Sequence, residues 1–117
     1  MKNKNLWIIL SIILVLAVMG FFLFPIQKNP GEYDVFAQCI TDSGLIMYGT
    51  EWCPHCQAQK KLFGKSFEFV DYIDCDRNRE TCLIEGIQGY PTWKFEGESY
   101  SGTRELSNLA EITGCEF

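Results

Sequence analysis

The sequence predicts an α/β domain, a small mixed sheet flanked by helices, behind a single N-terminal transmembrane helix. Three observations lead there. Residues Leu6–Phe24 (LWIILSIILVLAVMGFFLF) form an unbroken run of 19 residues without a charge. Beyond residue 33, helical and strand-type runs follow in the order α-β-α-β-α-β-β-α, closed by glycines or polar clusters. Helices on both faces of a small sheet are how such an order buries its apolar surface. Third, the domain beyond the linker is only about 85 residues, a small core that disulfides would help, and the chain carries six cysteines.

At 1.5 Å per residue the apolar run makes about 28 Å of helix, enough for a hydrocarbon core of roughly 30 Å. Lys2 and Lys4 precede it and only Lys28 follows closely, so the positive-inside bias keeps the N-terminus cytoplasmic and sends the rest across. The rival is a cleaved secretory signal, but such segments have apolar regions of about 7–15 residues and a small-x-small cleavage site. Ala17 and Gly20 are the small candidates here, and FFLF continues past both. The expected division is a cytoplasmic N-terminus at 1–5, a membrane anchor at 6–24, a linker at 25–32 and an extracytoplasmic domain at 33–117. Residues 28–117 carry 8 Lys/Arg against 15 Asp/Glu, a net charge of −7. That surface is unsuited to nucleic acid or to anionic lipid.

PIQKNPG at 25–31 reads as a short linker. DVFAQCIT at 34–41 places Val35, Phe36, Cys39 and Ile40 at helical spacing, with Asp34 as N-cap, and Asp42-Ser43-Gly44 breaks the helix. LIMYG at 45–49 is a short strand. CPHCQAQKKLFG at 53–64 is a helix with Pro54 early and Gly64 as its stop. FEFVDYIDC at 67–75 alternates as a second strand, and NRETCLIEG at 78–86 is a short helix with Gly86 past its end. TWKFEG at 92–97 and SYSG at 99–102 form a hairpin around Glu96-Gly97-Glu98. RELSNLAEIT at 104–113 closes the chain as an amphipathic helix with Leu106, Leu109 and Ile112 on one face.

The pair Cys53 and Cys56 in TEWCPHCQAQKKLF allows three readings: a metal site, a staple, or electron exchange. An exported chain with an even cysteine count points to disulfides before zinc. A four-thiolate zinc site from Cys53, Cys56, Cys75 and Cys82 would need a loose C-x6-C second half, so no metal is expected. A staple between Cys53 and Cys56 closes a tiny loop and would stabilise little.

WCPHC at 52–56, at a strand-to-helix junction, and GYPT at 89–92, opening the next strand, resemble the thioredoxin fold. The resemblance covers about Tyr33 to Phe117. It implies a cis Pro91 lying against the redox pair, with Tyr90 flanking it. FAQCITDSG, MYGTEWCPHCQAQKKLFG, Cys75 followed by Cys82, and QGYPTWKFEGESYSG together look like the thioredoxin-like domain fused to bacterial vitamin K epoxide reductase homologues, where it partners a quinone-reducing membrane enzyme.

Disulfide exchange needs an attacking thiolate, a resolving thiol and access for a substrate. Cys53 in the first turn of a helix has unpaired N–H groups and the positive helix end beside it, which favour the thiolate. Cys56, three residues on, shares its face and suits the resolving role. Trp52 covers one flank. His55 can add positive charge or a hydrogen bond to the Cys53 thiolate, stabilising the reduced form and making the disulfide a stronger oxidant. The Pro-His dipeptide resembles that of oxidising periplasmic donors. Many cytoplasmic thioredoxins have a buried acid six residues before the nucleophile; Met47 stands there, which weakens a reductase reading.

Cys75 and Cys82 read as a structural staple between strand end and helix, the alternative being a second, relaying redox pair. Parity pairs Cys39 with Cys115 across the first and last helices, although sequence does not set connectivity. The expected function is a membrane-anchored, extracytoplasmic thiol–disulfide oxidoreductase that oxidises cysteines of exported proteins. It would be reoxidised by a quinone-linked membrane partner of the vitamin K epoxide reductase type and hold no cofactor of its own. The alternatives are a reductase or isomerase with opposite electron flow, and a non-catalytic membrane adaptor.

Overall fold

The computed structural model describes residues 2–24 and 29–117. Most of the expected linker, Pro25 to Lys28, lies outside the described residues, as does Met1. Helix α1 runs Lys2–Leu23 and so includes residues 2–5. Its 21-residue stretch Asn3–Leu23, with a mean hydropathy of 2.9 and none of its apolar window buried, is long and apolar enough to cross a membrane.

The remaining elements are α2 (Asp34–Asp42), β1 (Ile46–Gly49), α3 (Pro54–Phe63), β2 (Tyr72–Asp74), α4 (Arg79–Ile84), β3 (Thr92–Phe95), β4 (Glu98–Ser101) and α5 (Leu106–Thr113). The sheet order is β2-β1-β3-β4. β1 pairs parallel with β2 (Met47 opposite Tyr72) and antiparallel with β3 (Met47 opposite Trp93), and β3 pairs antiparallel with β4. The two-residue hairpin turn Glu96-Gly97 has positive φ at both positions, 50° and 82°, the geometry that favours glycine. This is the thioredoxin fold: a mixed sheet with flanking helices.

The core lies between the sheet and helices α2, α3 and α5. Phe36, Ala37, Ile40, Met47, Phe63, Trp93 and Leu109 are all buried there. Phe63 is its aromatic centre, stacked on Phe36 at 6.1 Å and touching Phe67 and Trp93.

Three expectations need correction. Val35, at helical spacing with Phe36, is 82% exposed, and Ala37 takes the inward position. Asp34 is the first helical residue, with Tyr33 in the cap position; its carboxylate accepts from the Gly31 N–H at 2.9 Å instead. Residues 67–69, expected in a strand, lie in a 3₁₀ turn, Gly64–Phe69. That turn is tied to α2 and its cap before pairing with β1 begins. Ser66 Oγ accepts from the Tyr33 N–H at 2.9 Å, and the Thr41 hydroxyl donates to Phe69 O at 2.8 Å. The register of the four-residue β1 then leaves only Tyr72–Asp74 to pair as β2.

Cys39 is bonded to Cys115, 76 residues away, and Cys75 to Cys82, 7 residues away. Loop-closure entropy grows with loop length, so the two bonds differ in what they contribute. Replacing Cys39 and Cys115 with alanine should lower unfolding free energy by about 4 kcal/mol, and replacing Cys75 and Cys82 by about 2 kcal/mol. Urea unfolding of the full chain in detergent micelles checks the order; a larger loss for the short loop would contradict the entropic account.

Candidate active site

Cys53 and Cys56 are free thiols at the start of α3. Cys53 is the N-cap, with φ −72° and ψ 120°, and Pro54 opens the helix behind it. The first backbone N–H groups of a helix lack intrahelical partners. Here the Cys56 N–H donates to Cys53 Sγ at 3.3 Å, so the sulfur itself caps the helix. Across the site, Cys53 Sγ donates to the Tyr90 carbonyl at 3.6 Å. The Tyr90–Pro91 peptide is cis, and Pro91 is fully buried.

The two sulfurs have different surroundings. Cys53 is 5% exposed and Cys56 0%. Burial, reinforced by the hydrogen bond with Cys53, pushes the Cys56 thiol up to about 12 from an ordinary value of 9.0. The Thr50 backbone and the charge of Lys60 pull the other way. Cys56 is seated where Gly49 has no side chain: a Cβ there would lie 2.7 Å from Cys56 Sγ and 3.3 Å from the Tyr72 ring.

Trp52 and Tyr90 form the rim, edge to face at 6.2 Å. Trp52 is 65% exposed, and its indole N–H donates to Asp76 Oδ2 at 2.7 Å. A surface cavity of about 280 Å³ beside this rim is lined by Asp76, Arg79, Leu83, Ile87, Tyr90 and the Cys75–Cys82 bond. His55 is exposed, with its carbonyl accepting from the Thr103 hydroxyl at 3.2 Å. Among the described residues its imidazole makes no hydrogen bond to Cys53. Met47 is buried, six residues before Cys53.

The structure thus brings Trp52, Cys53, Cys56, Tyr90 and Pro91 together and places Cys39 and Cys115 elsewhere. Three residues near this site escape a sequence reading: Asp76, whose carboxylate accepts from the Trp52 indole, and Gln59 and Lys60 on α3; Tyr72, expected in the core or at the rim, lies beside Cys56. Gln59 and Lys60 fall three and four residues after Cys56, a spacing that puts them on its helix face. With four cysteines in two disulfides, the Cys53, Cys56, Cys75, Cys82 zinc set is not formed, and among the described residues no group of three or more His, Cys, Asp or Glu is placed to hold a metal.

Residues 26–113 match the thioredoxin family. The chain is 32% identical over 106 residues to the thiol-disulfide oxidoreductase LTO1 of Arabidopsis thaliana, across 82% of this chain and 28% of that protein. It is 28% identical over 93 residues to a protein disulfide-isomerase of Aspergillus niger, across 67% of this chain and 18% of that protein. The chain therefore spans less than a third of the length of either relative. Among solved structures, the thioredoxin NaTrxh of Nicotiana alata superposes with a TM-score of 0.49 at 16% identity, over 80% of this chain and 100% of that one.

Two outcomes follow from the seat of Cys56. Because its folded value is raised, the reduced protein keeps this stability contribution below about pH 9 and loses it as pH climbs toward about 12. Reduced wild type should therefore lose stability more steeply than Cys56→Ser between pH 8.5 and 10.5, read by urea unfolding at fixed ionic strength; parallel curves would contradict it. Gly49→Ala should destabilise the fold by about 1–3 kcal/mol through overpacking against the sulfur. An unchanged urea midpoint for that variant would mean the seat is looser than the geometry implies.

Proposed function

The chain belongs to the thioredoxin family of thiol–disulfide oxidoreductases, and from that premise we propose that it is a membrane-anchored, extracytoplasmic oxidant of cysteine-containing exported proteins. The observation that carries the reading is the asymmetric pair: Cys53 at the rim against the Tyr90 carbonyl, and Cys56 buried beneath it. A substrate thiolate attacks Cys53 Sγ, the Cys53–Cys56 bond breaks, and Cys56 leaves as a thiolate that takes up a proton. A second substrate thiolate then attacks the substrate sulfur of the mixed disulfide. The substrate departs oxidised and Cys53 is released, so the pair has gained two electrons and the substrate has lost two. The backbone around Tyr90 and Pro91 holds the substrate in extended form by edge pairing.

The oxidising direction is supported by Pro54-His55 between the cysteines and by Met47 where a proton-handling acid would assist a reductase. Export with the N-terminus cytoplasmic rests on the apolar helix and the lysines before it. Reoxidation through a quinone-linked membrane enzyme of the vitamin K epoxide reductase type rests on the motif set shared with such fusions. An isomerase role is the second reading, favoured by the similarity to a protein disulfide-isomerase.

The reduction potential of Cys53–Cys56, measured on the full chain in micelles against glutathione, tests the direction. A value near about −120 mV supports the oxidant, one near about −180 mV the isomerase, and one near about −270 mV a reductase. In cells, Cys56→Ala should accumulate mixed disulfides through Cys53, and Cys53→Ser should accumulate none. Recovery of equal amounts from both variants would remove Cys53 from its role.

A further inference from the structure

Cys56 is buried, yet every turnover makes it a thiolate. With Met47 in place of an acid on the strand beneath, something else must accommodate that charge. Lys60 lies one helical turn from Cys56 on the same face of α3. Its ammonium sits 4.2 Å over the centroid of the Tyr72 ring and 5.3 Å from that of Phe67. Glu51, in the turn before Cys53, clamps it with both carboxylate oxygens at 3.0 and 3.1 Å. The Tyr72 ring is in turn the wall beside Cys56, within 3.3 Å of the place a Gly49 Cβ would occupy.

We propose that Lys60 is the positioning residue for the resolving thiol: fixed over Tyr72 and held by Glu51, its ammonium supports the Cys56 thiolate each time the Cys53–Cys56 bond opens or closes. This rests on the reading of Cys53–Cys56 as the exchanging pair. The chemistry balances without any further reactant. When a substrate thiolate bonds to Cys53 Sγ, the electron pair of the Cys53–Cys56 bond goes to Cys56, and a proton from solvent follows. In the reverse step that proton leaves, Cys56 attacks Cys53 Sγ, and the substrate thiolate departs.

The neighbouring groups fit this division. Cys53 is the other ionisable group beside Cys56, and Lys60 is the cation acting on it. Burial, and then the carboxylates of Glu51 and Asp74, hold the Tyr72 phenol above its usual value, so it adds no negative charge at neutral pH. Lys60 is only partly exposed, with 23% of its side chain accessible against 63% for Glu51, so solvent screens the ammonium less than its partner. Glu51 therefore has two opposed effects: it holds Lys60 in place, and it cancels part of its charge.

That opposition gives the test. The full chain in micelles is labelled with ¹³C at cysteine Cβ, and the Cys56 midpoint is read by NMR in the reduced state. The rate at which reduced glutathione opens oxidised Cys53–Cys56 is followed by rapid mixing and acid quench. Lys60→Met should move the midpoint further upward and slow opening about three- to tenfold at pH 7, while Lys60→Arg stays within about twofold of wild type. Glu51→Gln should move the midpoint the opposite way, downward. A purely structural ion pair would instead loosen the site alike in both variants, so shifts of the same sign, or none in Lys60→Met, overturn the proposal. If glutathione does not bond to Cys53 of the unsubstituted chain at all, the exchange reading itself fails, whatever Lys60 does.

Discussion

The site depends first on one buried amide. Gln59 has no exposed surface, and its side-chain oxygen accepts from the Trp93 indole N–H at 3.1 Å and the Arg104 backbone N–H at 2.7 Å. Its amide nitrogen donates to the Arg104 carbonyl at 2.9 Å. An unpaired buried amide costs about 1–3 kcal/mol, so the three elements that satisfy it are held together or the helix face cannot be buried. Those elements are α3, the strand β3 that follows Pro91, and the segment entering α5. Gln59 lies one turn below Cys56, so the same bonds that bury it set the distance between the cysteines and the Tyr90–Pro91 turn.

Close packing at Gly49 is the second constraint, and it acts from the sheet side. β1 must approach α3 closely enough that no Cβ fits against the Cys56 sulfur. This proximity buries the Cys56 thiol and lifts its ionisation. In the proposed exchange, help for that thiolate comes from Lys60, on the same helix. It reaches along the face of Tyr72. The long, flexible lysine stem makes this possible where a short acid on β1 would have lain directly beneath the sulfur.

Much of this was legible in the chain. The glycine stops at Gly44, Gly64 and Gly86 each sit at positive φ, where the reading expected helices to end. The order of elements followed from apolar spacing, because every element of the domain must turn one face to a single core. What failed depended on contacts distant in sequence. Residues 67–69 alternate like a strand, but Ser66 and Thr41 bind that segment to a helix more than two dozen positions earlier. Val35, Phe36, Cys39 and Ile40 share one helical spacing, but the face that packs inward is Phe36, Ala37 and Ile40, so the helix is turned to leave Val35 in solvent. Gln59 reads as a surface residue until Trp93 and Arg104, about 34 and 45 positions away, supply its partners. Polar residues that pair at long range leave no local pattern.

The placement of the two disulfides leaves the third pair of cysteines free of the bonds that restrain this small domain. Cys39–Cys115 ties the first helix of the domain to the second residue after the last, and thus restrains most of the unfolded chain. Cys75–Cys82 fixes the end of β2 to α4, beneath Ile87 and Tyr90, and so supports the turn that faces Cys53. The Cys53–Cys56 loop, with two residues between its ends, constrains the unfolded chain far less than the 76-residue separation does. Opening it releases little chain entropy, and the Cys56 N–H remains bonded to Cys53 Sγ in the dithiol form. In the proposed exchange, electron transfer at the rim is thereby separated from the bonds that restrain the fold, and the cost of each cycle would fall on the buried Cys56 sulfur.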